Sequence, residues 1–261
     1  MLDTFANYTL YVTKPMFLIV FLIVGLLGFQ KRHFGEALFL LMITMALNAY
    51  LKSVFAVPLL PKVGTTGYAF PSGHMATAVV FWGWLMLRVQ QTWFTVLAGA
   101  LICAIGFSLW HLGYHTPMDI GGALVFGVLM VLLAALFLIK LDPKDEGMPL
   151  FGLLLACCST LLIMITPGAK PEIWMSPGIL ALGSIGWWIQ LKSVSIPNSY
   201  LVKLFALVFG LVGAVGIFYA KKYIGKSLSP KMFYFIVYGA MAFWVFYFAE
   251  KCALIATKPF R

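Results

Sequence analysis

Charge is scarce in this sequence: Asp, Glu, Lys and Arg make up 10% of 261 residues, with eight acidic side chains against 18 basic ones. Soluble domains carry about 25% charged residues, so a water-facing surface of ordinary composition is excluded. Cysteine is equally sparse. The four cysteines, at 103, 157, 158 and 252, fall inside or at the edge of apolar runs. None has metal-ligand spacing or a loop partner, which argues against a disulfide scaffold and reads as small apolar packing. No fixed-period repeat is visible, and no low-complexity linker interrupts the chain. The cationic start of a secretory signal is also missing. The N-terminus carries Asp3 and leads into a long apolar run, so the first helix is expected to be retained. Ionisable side chains are absent from the middle of the apolar runs, which argues against a proton relay or ion-coupled transporter.

What is abundant is hydrocarbon, at 62% of all residues. A bilayer core of about 30 Å needs roughly 20 apolar residues per helix, and such runs follow one another at 15–30, 34–55, 73–89, 92–110, 117–140, 149–166, 174–190, 200–220 and 232–249. The expected fold is an all-α polytopic membrane bundle of eight or nine transmembrane helices. The stretch 174–190 holds Pro177, Gly178, Gly183 and Gly186, so it reads either as a span or as a re-entrant segment. Residues 4–14, with Phe5, Tyr8, Leu10 and Tyr11 among polar neighbours, read as an interfacial helix or aromatic anchor. Gly99, Gly106, Gly210, Gly213 and Gly216 are candidates for close helix contacts.

The strongest shift in composition is the hydrophilic break at 141–149, which gathers Asp142, Asp145 and Glu146. It divides the chain into residues 1–145, with five spans, and residues 146–261, with further helices of no assigned role. In the first part Lys31, Arg32, Arg88, Lys140 and Lys144 fall on one side, and Lys14, Lys52 and Lys62 on the other. The positive-inside rule puts the first set in the cytoplasm and the loops 56–72 and 111–116 outside. Over the whole chain the bias weakens, because Lys221, Lys222, Lys226 and Lys231 land on the outer side. The basic residues sit singly or in small groups at span ends, so anionic lipid headgroups, and no nucleic acid, are the expected counter-charge.

Three of the four histidines, His74, His111 and His115, lie in or beside the two outer loops. In the segment FPSGHMATAVV, Pro71 suits a helix start and Ser72 and Gly73 contribute first-turn N–H groups, a ready anion site. His74 would sit beside a bound oxyanion, where an imidazole serves as acid or base. Simple capping is the competing reading. In SLWHLGYHTPMDI, Thr116, Pro117 and Asp119 fit N-cap, first helical residue and capping-box acid. Asp119 is also four residues from His115, and a carboxylate that orients and charges an imidazole makes a better nucleophile. Lys52 closes the second span, either as a snorkelling lysine or as a cation for the same pocket.

These residues resemble the type 2 phosphatidic acid phosphatase superfamily. Its pattern has a lysine followed seven residues later by Arg-Pro, then Pro-Ser-Gly-His, then Ser-Arg followed by a histidine and, four residues on, an aspartate. The matches are Lys52, then Pro71, Ser72, Gly73 and His74, then Ser108, His115 and Asp119, over about residues 34–140. The resemblance implies that His115 attacks phosphorus, that Asp119 supports it and that His74 protonates the leaving oxygen. Lys52, Ser72 and Gly73 would hold the nonbridging oxygens, with no metal or other cofactor. The chain departs from the pattern at Leu59 and Leu60, in place of Arg-Pro, and at Leu109, in place of the second arginine. Two phosphate forks are missing, and Lys62 and His111 are the nearest candidate replacements.

Three functions remain open. The first is a membrane lipid phosphatase working through a phosphohistidine on a lipid phosphate or diphosphate ester. The second is a lipid phosphotransferase acting on a phosphodiester, similar to sphingomyelin synthase, where a single negative charge needs fewer cations. The third is a protein that binds lipid phosphate without catalysis. The expected location is a bacterial inner membrane with the site on the outer face.

Overall fold

The computed structural model describes residues 1–63, 66–138, 147–193, 199–224 and 228–257. Helix α1 (Leu2–Tyr11) is followed by α2 (Pro15–Val24), which runs on through a π-helical turn at Gly25–Phe29. Then come α3 (Lys31–Phe55), α4 (Gly73–Val89), α5 (Thr92–His111), α6 (Pro117–Leu138) and α7 (Gly147–Ile165). A 3₁₀ turn at Pro171–Trp174 leads into α8 (Met175–Ser193), and α9 (Tyr200–Ile224) follows. Last are α10 (Pro230–Phe243), a π turn at Trp244–Phe248 and α11 (Ala249–Ala256), one continuous helical run. Among the described residues the extended structure is an isolated bridge between Pro58 and Tyr68.

Six helical stretches are long and apolar enough to cross a membrane: Lys31–Phe55, Thr92–His111, Pro117–Leu138, Gly147–Ile165, Tyr200–Ala220 and Pro230–Ala256. The shorter apolar run Phe17–Phe29, the 17-residue α4 and the glycine-rich α8 complete the bundle. The chain is an all-α integral membrane protein. Helix α8 is continuous over 19 residues, or about 28 Å at 1.5 Å per residue. Its glycines answer a packing need. A Cβ on Gly178 would meet the Phe235 carbonyl oxygen at 2.2 Å, and one on Gly239 of α10 would meet the Gly178 carbonyl oxygen at 2.8 Å, so the two helices approach backbone to backbone. Gly213 likewise admits the Trp244 indole, whereas Gly216 faces open space.

Helix α3 is the central element, packed against α4, α7 and α8. Phe39 on α3 meets Trp187 on α8 and Phe246 in the second π turn, and the last two rings stack at 5.2 Å. Nearby the Ser176 hydroxyl donates to the Met42 carbonyl at 2.7 Å and shares a hydrogen bond with the Ser159 hydroxyl, tying α8 to α3 and α7. The helices after residue 146 are therefore built onto α3. The division itself, at residues 145 and 146, lies outside the described residues.

One end of α3 carries a buried charge cluster absent from the expectations above. Glu36, fully buried, accepts hydrogen bonds from Arg32 Nε at 3.0 Å, Arg88 Nη2 at 3.0 Å and Trp84 Nε1 at 3.2 Å. Glu250 similarly takes Lys31 Nζ at 2.6 Å. Lys52 lies 16 residues further along α3, about 24 Å away, so the histidines and this cluster occupy opposite ends of the bundle.

Candidate active site

The end of α3 opposite Glu36 is capped by a folded-back loop. Ala56 adopts a left-handed conformation and its N–H returns to the Lys52 carbonyl; two further bonds, Ala69 N–H to Val57 O and Leu59 N–H to Gly67 O, close the excursion. Lys52 holds it from beneath. Its ammonium donates to the carbonyls of Tyr68 at 2.5 Å and Ala69 at 3.3 Å, using two of three donors.

From this loop the chain enters α4 at Gly73. Ser72 takes the N-cap position, but its hydroxyl is fully buried, makes no capping bond and has no partner among the described residues. Its N–H donates to the Asp119 carbonyl at 3.1 Å. The expectation that this N–H serves an anion is thereby corrected: it is used to bind the start of α4 to the start of α6. The N–H groups of Gly73 and His74, in the first turn, have no acceptor within the helix.

Helix α5 ends with the Leu109 carbonyl accepting from both Tyr114 and His115, across a turn that needs positive φ (69°) at Gly113. This delivers His115 to the bundle just before α6. There the capping box forms as its residue types dictate: Thr116 N–H donates to Asp119 Oδ2 at 2.8 Å, and Asp119 N–H to Thr116 Oγ1 at 3.2 Å. Asp119 Oδ2 also lies 3.6 Å from His115 Nδ1. That is too long for a hydrogen bond, so the carboxylate acts on the ring through its charge. Burial pushes the His115 imidazole from the ordinary 6.5 down to about 4, the Lys52 and His74 charges push the same way, and Asp119 opposes them. At neutral pH the ring is uncharged and keeps a lone pair.

Lys52, Gly73, His74 and His115 line one cavity of about 1730 Å³. Ser72 and Asp119 stand behind this wall rather than in it. Lys62 belongs to a 3₁₀ turn at Pro61–Val63, but its side chain lies outside the described residues. His111 is drawn elsewhere. Its Nε2 meets Asp3 Oδ1 of α1 at 2.7 Å and its ring stacks on Phe107, so it pins α1 to α5 instead of facing the cavity. Asn48 is a lining residue that sequence reasoning passed over; it sits one turn before Lys52 on the same face, nine-tenths buried, with Oδ1 unpaired. The signal was an amide four residues before Lys52 in an apolar run.

Beyond the polar end the cavity is walled by hydrocarbon. Leu18 and Leu22 of α2, Leu38 and Met42 of α3 and Ile179 of α8 line it, and Leu22, Leu38 and Ile179 also border a smaller apolar space against α10. The cavity thus joins a polar end that holds Lys52, His74 and His115 to an aliphatic remainder.

Residues 34–142 match the family model of the PAP2 superfamily. Over this stretch, less than half of the chain, the sequence is similar to that superfamily. Comparison with curated proteins and with solved structures gives no match. The matched stretch covers every residue of the cavity's polar end supplied by α3, α4 and the α5–α6 turn.

Proposed function

We propose that the chain is a membrane enzyme that hydrolyses a lipid phosphate or diphosphate ester through a phosphohistidine on His115. The observation carrying this is the continuity of one cavity from His74, His115 and Lys52 to the aliphatic wall of α2, α3 and α8. With Nδ1 facing Asp119, Nε2 of the neutral ring attacks phosphorus, a P–N bond forms and the P–O bond to the leaving group breaks. His74 supplies the proton that the departing oxygen needs; burial and the Lys52 charge lower its pKa in the empty cavity, and the negative charge of the bound phosphate would offset them and keep the ring protonated. Water then attacks phosphorus, His74 takes a proton from it, and the P–N bond breaks to give phosphate and neutral His115. Asp119 stabilises the charge that the imidazole gains in the first step. Lys52 and the N–H groups of Gly73 and His74 hold nonbridging oxygens.

On this reading residues 1–145 supply the reacting groups, at the outer face of a bacterial inner membrane. The cationic cluster of Lys31, Arg32 and Arg88 at the opposite end supports that orientation. Leu59 and Leu109, in place of two family arginines, both line the cavity and favour a second reading, headgroup transfer on a singly charged phosphodiester. Phosphate release by the purified protein from a panel of lipid monoesters, diphosphates and diesters, with chelator present, tests both. Release from monoester or diphosphate supports hydrolysis. Transfer to an alcohol from diesters alone would replace it with the second reading, and no reaction with any member would leave a lipid-phosphate binder.

A further inference from the structure

The cavity's polar wall is short of cations where the superfamily pattern supplies them, because Leu59 and Leu109 face it. Two further cations line it from outside the matched stretch, Lys14, whose ammonium lies over the Tyr11 ring, and Lys170. After α7 ends at Ile165, Gly168 takes positive φ (64°) and the Ala169 N–H returns to the Thr166 carbonyl, which reverses the chain. Lys170 then N-caps the 3₁₀ turn at Pro171–Trp174, which packs against α3, and its side chain lines the same cavity as Lys52, His74 and His115. Lys170 has no side-chain hydrogen bond or ion pair among the described residues, while its charge repels that of Lys52 across the cavity. The Lys52 and Lys170 ammonium groups repel one another across this space when it is empty, and a dianion between them would offset that repulsion.

We propose that Lys170 is a phosphate-binding residue supplied by the C-terminal helices, and that with Lys52 it clamps a phosphate monoester in place of the missing arginines. This rests on the cavity being a phosphate-ester site. The clamp discriminates by charge: a monoester or terminal diphosphate near neutral pH carries close to two charges and meets both lysines, whereas a diester carries one.

The test measures equilibrium binding to full-length protein in detergent, in a His115→Ala background that blocks turnover. The probes are dioctanoyl phosphatidate, dioctanoyl phosphatidylglycerol and inorganic phosphate, the first two sharing tails and differing in headgroup charge. Lys170→Met is expected to weaken phosphatidate binding about tenfold or more, as loss of a charge-assisted hydrogen bond does. Binding of phosphatidylglycerol should change by less than about threefold, and Lys170→Arg should restore phosphatidate. Equal losses for the two lipids, or none, would overturn the inference, as would a loss confined to inorganic phosphate. Lys170→Gln repeats the measurement should the Met variant lose its fold. The inference fails alone if the parent turns over lipid phosphate but its monoester preference ignores residue 170. If the parent binds no probe and turns over nothing, the enzymatic reading falls with it.

Discussion

Asp119 Oδ2 stands 3.6 Å from His115 Nδ1 while accepting the Thr116 N–H at 2.8 Å, so one carboxylate oxygen both caps α6 and faces the imidazole. The two duties separate under substitution. Asp119→Asn keeps an acceptor for the Thr116 N–H and loses the charge. It should cost under about 1 kcal/mol of stability, within the range of a cap exchange, and about a hundredfold or more in turnover, as removal of a carboxylate behind an imidazole does. Melting temperature and kcat on the same preparation give the answer; parallel losses would leave Asp119 as a cap only.

His115→Ala should abolish multiple turnover while the protein still folds, because the side chain borders a cavity rather than filling a helix contact. Single-turnover trapping with labelled substrate should find no phosphoenzyme in this variant and an acid-labile one in the parent. Sustained turnover by His115→Ala would remove it as the nucleophile.

The pH dependence follows from the same ring. With its folded-state value near 4 against an ordinary 6.5, His115 binds fewer protons folded than unfolded between those limits. Stability from this group is therefore present above about 6.5 and lost as pH falls toward 4. The acid limb of kcat/KM should lie near 4 rather than 6.5. Asp119→Asn removes the charge that raises the value, so its limb should move lower still; a limb near 6.5 in the parent contradicts the assignment.

Leu59 is half-buried on the loop, whereas Leu109 is 1% exposed and an arginine there would have to displace core packing. Leu59→Arg is thus the better restoration of a family donor. Monoester turnover should rise relative to diester turnover by about tenfold, the worth of one charge-assisted hydrogen bond realised in the transition state. An unchanged ratio in a folded variant means that residue 59 does not reach the phosphate.

At the far end of α3, Glu36→Ala would leave Arg32, Arg88 and the Trp84 indole without their shared acceptor. Removing one partner of a buried ion pair costs about 3–5 kcal/mol. The expected result is a large drop in melting temperature, with Glu36→Gln intermediate; a melting temperature within a degree of the parent would show the cluster to be solvated.

What could be foreseen from the chain alone was local. Apolar runs gave the helices, and the Thr116–Asp119 spacing gave a capping box, because both depend on residues within one or two turns. Pairings across the bundle were hidden. His111 looked free for phosphate until Asp3, 108 residues away, took its ring. Ser72 looked like an anion donor until its N–H was found on Asp119, and Glu36 gave no sign of Arg88 in the next helix. Asn48 and Lys170 face the histidines only because α3 and the α7–α8 turn converge there, which no spacing rule encodes.

The matched family stretch ends at 142, yet α3 within it is covered on one side by α7 and α8. A fragment stopping at 142 would lose Ile179 from the cavity wall, and with it the Ser176 bond to Met42. The cavity beside His115 would then lack the wall that α8 gives it. One side of the space beside the histidines is therefore built by a part of the chain that contributes none of them.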